Sequence, residues 1–267
     1  MIRLLLSDVD GTLVRSDKKL TERSIEAVHA LHDAGVQFAV TSGRPPRGME
    51  MLVEPLSLRT PLAAFNGGLV VEPDMEVVEQ RVIPEHLVGP AIELLESHDL
   101  SVWVYRGADW LVRDPDGPHV ARESSTVKFS PTVVSSFDGA ESGVAKLVGV
   151  SDDHEAVAKA SSAAQEQFGD QVSASRSQSY YLDVTHPDAN KGRVVKFLSA
   201  TYEIPTDEIA TIGDMPNDVL MFARSGLSVA MGQSGRGVHR AARHVTTSND
   251  EDGFANAVEN FILEEGS

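Results

Sequence analysis

The sequence contains no cysteine. This absence excludes disulfide bonds, thiolate zinc sites and cysteine nucleophiles. Basic residues are also scarce, because 23 Lys and Arg stand against 40 Asp and Glu and give a net charge of −17 at pH 7. Such a charge repels nucleic acid and anionic membrane surfaces, so we expect neither as a partner. It also hinders an anionic substrate unless a local Lys, Arg or metal ion reverses the sign at the site.

Long hydrophobic runs are missing as well. No segment approaches the roughly 20 apolar residues that a membrane-spanning helix needs. The first residues carry one Arg and only a short apolar run before Asp8, which is not the pattern of a signal peptide. A chain of 267 residues is long enough for one large domain or two small ones. We therefore expect a cytoplasmic enzyme or binding protein.

Strands and helices alternate in the first and last thirds of the sequence. The strands are apolar at successive positions, which is typical of parallel strands buried on both faces. We predict strands over residues 2–6, 36–40, 62–65, 209–212 and 227–230, and helices over 21–34, 47–54, 190–202, after 216 and from about 235. Because strand–helix–strand units form right-handed crossovers, this order predicts an α/β fold with a Rossmann-like parallel-sheet core.

The middle of the chain has a different character. A helix over 86–98 is followed by short alternating strands, which is typical of an α+β domain with antiparallel pairing. We predict an inserted α+β domain over residues 83–187, and a core made of 1–82 and 188–267. The aromatic residues of the inserted strands either form a wall that stacks on a sugar or pack inside the domain, and packing is the favoured reading. These residues are Trp103, Tyr105 and Trp110.

Polar side chains follow the predicted core strands, at the point where each strand ends. Open α/β sheets bind ligands at the carboxyl ends of their strands, so we expect these residues to lie together. They are Asp8 and Asp10 after the first strand, Ser42, Gly43 and Arg44 after the second, Asp214 after 209–212, and Lys191 at the start of a helix.

This set of side chains predicts a magnesium and phosphate site. A lone Asp-x-Asp-Gly usually caps a helix or forms an Asx turn, but Asp214 adds a third carboxylate at the same edge. Oxygen ligands without His or Cys suit Mg²⁺, which often bridges protein carboxylates and a substrate phosphate. The Ser42 hydroxyl, the Gly43 N–H near a helix start and the Lys191 charge fit that phosphate.

Four motifs in this order resemble those of the haloacid dehalogenase (HAD) superfamily. They are Asp8-Val-Asp-Gly-Thr12, Ser42-Gly-Arg44, Lys191, and Gly213-Asp-Met-Pro-Asn-Asp218. Asn66-Gly-Gly68, the form of the last motif and the large insertion before Lys191 resemble the Cof-type branch, whose cap is of class IIB. The resemblance covers the whole chain and implies a Mg²⁺-dependent phosphatase with a core and an α/β cap.

The resemblance also implies roles for single residues. Asp8 is the expected nucleophile and a metal ligand, and Asp10 is the expected general acid and base, with its carbonyl as a second ligand. Asp214 is the expected third ligand, and Lys191 is expected to stabilise charge. An Asp at position 10 favours hydrolysis or mutase chemistry over dehalogenase or ATPase chemistry.

The remaining motif residues have expected roles near the substrate or the metal, and several of them have two alternatives. Ser42 and Gly43 are expected to bind the substrate phosphate, and Arg44 either contacts substrate or orders its loop, as does Asn66. Asn217 is expected to hydrogen-bond phosphate or Ser42. Asp218 is expected either to hold a metal-bound water or to orient Lys191. The sequence departs from the branch at Thr41, where a small apolar residue is usual, and at Gly232-Gln233-Ser234, where Gly-Asn-Ala is frequent.

The expected substrate is a small phosphorylated metabolite, with a sugar phosphate favoured. The enzymatic alternatives are a phosphoglycolate phosphatase and a hexose phosphomutase. A non-enzymatic alternative is a phospho-acceptor switch resembling a response-regulator receiver, which also gathers acidic residues and a Lys at a sheet edge. Asp10 and the inserted domain argue against the switch, because a receiver needs neither a leaving-group acid nor a cap.

Overall fold

We describe the fold from a computed structural model, which describes residues 1–263 of the chain. Its strands are Leu4–Asp8 (β1), Gln37–Thr41 (β2), Leu62–Ala64 (β3), Leu69–Val71 (β4), Val77–Gln80 (β5), Ser101–Arg106 (β6), Asp109–Val112 (β7), Thr132–Val133 (β8), Val144–Val150 (β9), Ser173–Gln178 (β10), Tyr181–Thr185 (β11), Ile209–Gly213 (β12), Leu227–Ala230 (β13) and His244–Val245 (β14). Its α-helices are Glu22–Asp33 (α1), Glu85–Ser97 (α2), Val120–Val127 (α3), His154–Phe168 (α4), Lys191–Tyr202 (α5), Val219–Phe222 (α6), Arg236–Ala241 (α7) and Gly253–Ala257 (α8). A π-helical stretch, Val258–Leu263, follows α8.

The chain divides into two compact units. The first unit contains residues 1–43, 50–78 and 190–263, and the second contains 44–49 and 79–189. The sequence-based division lies at 82/83 and 187/188 and leaves 44–49 in the core. The segment 44–49 groups with the second unit because Gly48 lies against Val127 of α3 and the Arg47 guanidinium lies 4.5 Å from the centre of the Phe129 ring.

The first unit is built on a mainly parallel sheet. Its strand order is β14-β13-β12-β1-β2-β3-β4-β5, with parallel pairing from β14 to β3 and antiparallel pairing between β3 and β4. Every residue of β1 and β12 is buried, as expected for central strands covered on both faces. The α/β class and the Rossmann-like core are confirmed.

Strand β1 ends later than the sequence pattern predicts. The apolar run pointed to 2–6, whereas the strand is Leu4–Asp8 and pairs Asp8 with Thr41 of β2. Asp8 is therefore the last residue of a fully buried strand, and the backbone hydrogen bonds of the sheet fix its position. The ladder extends beyond the apolar residues because β1 is flanked by β12 and β2 on both sides.

The helix predicted over 47–54 is wrong. Two short 3₁₀ turns, Pro46–Gly48 and Glu50–Leu52, occupy this segment. The apolar spacing of Met49 and Leu52 resembles a helix, but both side chains are buried by a tight turn instead. Proline at 45 and 46 and glycine at 48 favour such a turn over a regular helix.

The second unit is a six-stranded sheet with two long helices. Its strand order is β10-β11-β9-β6-β7-β8, antiparallel except for the short β7–β8 pair. Apolar side chains of α2 and α4 pack with some of the strand side chains to form one hydrophobic core. The aromatic residues Trp103, Tyr105 and Trp110 lie outside this core and are all buried, and the ring centres of Trp103 and Trp110 are 5.1 Å apart. Trp103 also contacts Tyr181 within the unit, with ring centres 5.3 Å apart, which supports the packing reading favoured from the sequence.

The sequence pattern does not predict the short helix α3. Helix α3 begins after His119 and ends before Lys128, and both flanking residues have positive φ. Neither end carries a side-chain N-cap or a glycine, so the usual start and stop signals are missing.

Among the helices within 1–263, none is both long enough and apolar enough to cross a membrane.

Candidate active site

Three carboxylates meet where β1 and β12 end. Parallel pairing of Ser7 with Ile212 brings the last residue of β1 beside the loop that follows β12. One carboxylate oxygen from each of Asp8, Asp214 and Asp218 lies within 4.8 Å of the others. The predicted convergence of Asp8 with the Gly213–Asp218 motif is thus present in the geometry.

Lys191 is the cation of this cluster. It is the first residue of α5, whose N-cap Asn190 accepts a hydrogen bond from the Arg193 N–H. Its Nζ donates to Asp8 Oδ1 and to Asp218 Oδ1, each at 2.5 Å. Although burial lowers it, the charges of Asp218 and Asp8 raise the pKa of Lys191 above its ordinary value. The side chain is therefore a buried, fixed positive charge.

Asp218 is the carboxylate with the most hydrogen bonds. Its Oδ1 accepts from Lys191, and its Oδ2 accepts from the backbone N–H groups of Asp214 and Met215, both at 2.9 Å. A Cβ at Gly213 would lie 2.4 Å from the Asp218 carboxyl carbon, so the close approach needs glycine there. These contacts support the second reading of Asp218, in which it orients Lys191.

Asp8 and Asp214 are less well compensated. Asp8 Oδ2 and Asp214 Oδ1 are both buried and have no hydrogen-bond partner. Burial raises the pKa of Asp8 to about 8, with further contributions from Asp218 and Asp214, although Lys191 lowers it. Burial also raises the pKa of Asp214 to about 6. One lysine does not neutralise three carboxylates. Asp8 Oδ2 and Asp214 Oδ1, the two oxygens without hydrogen-bond partners, are the kind of ligand that a hard divalent cation binds.

Asp10 lies on the turn that follows β1. Its Oδ1 accepts a hydrogen bond from Lys18 Nζ at 2.8 Å, and about 29 % of its side chain is exposed. Gly11 has φ +84°, and a Cβ there would lie 2.4 Å from Asp214 Oδ2. The glycine thus lets the turn pass directly against the acidic cluster. Sequence reasoning missed Lys18, because a lysine within a polar run carries no distinguishing signal.

Ser42, Gly43 and Asn217 meet around Asn66. The backbone N–H of Asn66 donates to the Ser42 carbonyl at 2.7 Å, and Asn66 itself has φ 59°. A Cβ at Gly43 would lie 3.7 Å from Asn66 Nδ2, and Asn217 Nδ2 donates to Asn66 Oδ1 at 3.2 Å. Asn66 therefore joins the loop after β2 to the loop after β12. The Asn-Gly-Gly sequence was the available signal for this junction.

Arg44 belongs to the second unit rather than to the core. Its guanidinium is buried and donates to the Gly48 carbonyl at 2.9 Å. This hydrogen bond closes the Pro46–Gly48 turn and supports the loop-ordering reading. The structure thus brings Asp8, Asp214, Asp218 and Lys191 together, and places Arg44 in a different unit.

Comparison with known proteins identifies the family. A family model of haloacid dehalogenase-like hydrolases matches residues 5–258. The chain belongs to this family. The resemblance drawn from the four motifs, including the Cof-type branch, is confirmed.

The relatives point to the same enzyme class. A putative phosphatase of Haemophilus influenzae is 29 % identical over 99 % of this chain and 98 % of its own length. The 5-amino-6-(5-phospho-D-ribitylamino)uracil phosphatase YitU of Bacillus subtilis is 24 % identical over 97 % of each chain. The crystal structure of a haloacid dehalogenase-like hydrolase from Bacteroides thetaiotaomicron superposes with a TM-score of 0.90 at 27 % identity, covering 98 % of this chain and 100 % of that one. The prediction of a phosphatase enzyme is confirmed.

Proposed function

We propose that this phosphatase is Mg²⁺-dependent and hydrolyses a small phosphorylated metabolite through an aspartyl-phosphate on Asp8. The observation that carries the proposal is the arrangement of Asp8: one oxygen is held by Lys191, while the other is buried without a partner beside a second orphaned oxygen of Asp214. A buried carboxylate with one engaged and one open oxygen is suited to act as a nucleophile.

The first half of the reaction transfers the phosphoryl group to Asp8. An oxygen of Asp8 attacks phosphorus, and the bond from phosphorus to the ester oxygen breaks. Asp10, in its protonated form, gives its proton to the leaving alkoxide, so that an alcohol departs. Lys191 stays between Asp8 and Asp218 and offsets negative charge on the transferring group.

The second half returns Asp8 to its starting state. Asp10, now a carboxylate, takes a proton from water, and the water oxygen attacks phosphorus. The bond from phosphorus to the Asp8 oxygen breaks and inorganic phosphate leaves. Asp10 ends protonated, as it began, so protons balance over the cycle. Its partly exposed position on the turn after β1 supports this role, because both the alcohol and the water need access to it.

The residues of the acidic cluster fit a magnesium ion. Asp8 and Asp214, with the Asp10 carbonyl, would hold it, while Asp218 keeps its carboxylate engaged with Lys191 and two backbone amides. A bound Mg²⁺ supplies charge neutralisation for the phosphoryl oxygens during transfer. Ser42 and Gly43 are proposed to bind the phosphate, Asn217 to support them through Asn66, and Arg44 to order its loop.

We propose a phosphorylated sugar or polyol as the substrate class, within a cytoplasmic setting. The motif resemblance supports it, and so does the B. subtilis relative, whose name specifies a phosphate on a ribityl chain. A panel of sugar phosphates, phosphoglycolate, nucleotides and pyridoxal phosphate tests this class by release of inorganic phosphate. Conversion of one hexose phosphate into another without phosphate release would instead establish a mutase.

The test of the reaction itself uses Asp8→Asn. The amide is a poor nucleophile and a weaker ligand, so turnover should fall below a few per cent while the circular dichroism spectrum shows an intact fold. Removing metal from the wild-type enzyme with a chelator should also stop turnover. Mg²⁺ should restore it and Ca²⁺ should not, because the larger ion takes more ligands in looser geometry. Substantial activity of Asp8→Asn, or equal rates with Ca²⁺, would contradict the proposal. A phospho-protein that persists without turnover would support the switch.

A further inference from the structure

The turn that carries Asp10 is held from outside by side chains of distant segments. Gln233, in the loop after β13, donates through Nε2 to the Gly11 carbonyl at 2.6 Å. Its Oε1 accepts from the backbone N–H of Asn249 at 3.2 Å. Asn249 in turn donates through Nδ2 to the Val14 carbonyl at 3.0 Å. Gln233 and Asn249 therefore hold the two ends of the turn 11–14 at once.

Neighbouring contacts continue this attachment. Asp250 accepts hydrogen bonds from the backbone N–H and the hydroxyl of Ser16, at 3.0 and 2.7 Å. Within the turn, the N–H groups of residues 12, 13 and 14 all point to the Val9 carbonyl. The turn thus has an internal shape of its own, but Gln233 is the side chain that fixes the Gly11–Thr12 peptide, one residue beyond Asp10.

The Gly11–Thr12 peptide has little room to move. Gly11 lies close to Asp214, since a Cβ at this position would lie 2.4 Å from Asp214 Oδ2. Gln233 donates a hydrogen bond to the Gly11 carbonyl, and Lys18 Nζ donates one to the Asp10 carboxylate at 2.8 Å. Movement of Gly11 therefore also moves the Asp10 carboxylate relative to Asp8. A misplacement of about 1 Å is enough to cost a large factor in rate.

We propose that Gln233 is a positioning residue for Asp10, acting through its hydrogen bond to the Gly11 carbonyl. The proposal rests on the role of Asp10 as general acid and base given above. Position 233 is also where the sequence departs from the Gly-Asn-Ala of the Cof-type branch. Gln is one methylene longer than Asn, and the length of Gln233 is what allows one side chain to reach both Gly11 and the Asn249 N–H.

The experiment compares two substrates with Gln233→Met. The variant keeps the length and removes both hydrogen bonds. With Mg²⁺ present, kcat for an alkyl phosphate should fall about tenfold, whereas kcat for p-nitrophenyl phosphate should fall less than about twofold. The difference arises because p-nitrophenolate leaves without a proton. KM should stay unchanged for both substrates, since the phosphate contacts are intact.

Two further variants keep the result interpretable. Gln233→Glu keeps the shape but sets a carboxylate against the Gly11 carbonyl, so it should reproduce the leaving-group dependence even if Gln233→Met fails to fold. Gln165→Met is the matched control: Gln165 also donates through Nε2 to a backbone carbonyl, that of Ala174, but in the second unit. It should leave both rates unchanged.

Asp10→Asn, assayed beside them, separates this inference from the function it rests on. If Asp10→Asn shows the leaving-group dependence and both Gln233 variants do not, Gln233 does not position Asp10. Equal losses on both substrates in the Gln233 variants would mean a general structural effect and would also overturn the inference. If Asp10→Asn itself loses equal factors on both substrates, the acid role of Asp10 is wrong, and the positioning role falls with it.

Discussion

Two aspartates of the acidic cluster should respond in opposite directions when each loses its charge. Asp214 has a buried Oδ1 without a hydrogen-bond partner, whereas both oxygens of Asp218 are engaged. Asp214→Asn removes a repelled charge from the metal-free protein. Asp218→Asn instead turns an amide NH₂ toward either Lys191 or the backbone N–H groups, so donors face donors. We expect the first change to stabilise the metal-free protein and the second to destabilise it.

The magnitude for Asp214 follows from its pKa. Burial first, and the charge of Asp218 second, raise the pKa of Asp214 from 3.8 to about 6. This difference corresponds to about 3 kcal/mol at neutral pH, which is an upper bound for a side chain with partial access to water. Because the folded state holds the proton more tightly, stability attributable to Asp214 is present at low pH and is lost as pH rises through about 4 to 6. Asp214→Asn should therefore gain about 1–3 kcal/mol at pH 7 and almost nothing at pH 4.

The magnitude for Asp218 follows from its hydrogen bonds. Hydrogen bonds to charged groups contribute about 1.5–3 kcal/mol each, and the variant cannot satisfy Lys191 and the two amides together. We expect a loss of about 3 kcal/mol. The two variants differ in sign although their carboxylates share one cluster, so an effect of charge number alone cannot reproduce the result.

The assay is urea denaturation followed by far-ultraviolet circular dichroism, with a chelator present. Both tryptophans, Trp103 and Trp110, lie in the second unit, so their fluorescence does not report on the cluster. Adding Mg²⁺ should then stabilise the wild type by mass action and should not stabilise Asp214→Asn. If Asp214→Asn is less stable than the wild type at pH 7 without metal, the carboxylate is compensated and the reasoning is wrong.

Two other substitutions test the turn and the second unit. Gly11→Ala should abolish most activity and cost about 1–2 kcal/mol, because alanine at φ +84° is strained and its Cβ meets Asp214; activity assays and denaturation check both. Wild-type activity of Gly11→Ala would mean that the turn adjusts freely. Lys146→Met should cost about 3–5 kcal/mol, since it leaves Asp183 buried without its 2.8 Å ion-pair partner. Tryptophan fluorescence follows this unit, and adding Asp183→Asn should recover most of the loss; no recovery would contradict the ion-pair explanation.

Much of the core was readable from the sequence because its signals are local. The strand predicted over 209–212 and the helix predicted over 190–202 match β12 and α5 almost to the residue. Since parallel strands bring their carboxyl ends to one edge, the meeting of Asp8 with Asp214 followed from the strand order. That inference needed no knowledge of side-chain contacts.

The rest depends on contacts between distant segments, which local patterns do not encode. The segment 47–54 has helix-like apolar spacing, yet it forms two short turns. The first of these, Pro46–Gly48, packs against α3, which itself lacks recognisable caps. Lys18 contacts Asp10 because the chain turns back toward Asp10 between these two residues. Gln233 contacts Gly11, which is 222 positions away in the sequence. The sequence marked Gln233 only as a departure from a familiar pattern.

The division of labour among the carboxylates follows from how many partners each one has. Asp218, with both oxygens engaged, is suited to hold Lys191 in place and has no open oxygen for a reacting atom. Asp8 has one engaged and one open oxygen, which suits a nucleophile that must be oriented and yet react. Asp214 has an open, buried oxygen and an elevated pKa, which suits a ligand awaiting a cation. An apolar strand can therefore run into this acidic edge because each charge is either already paired or placed where a cation can pair it.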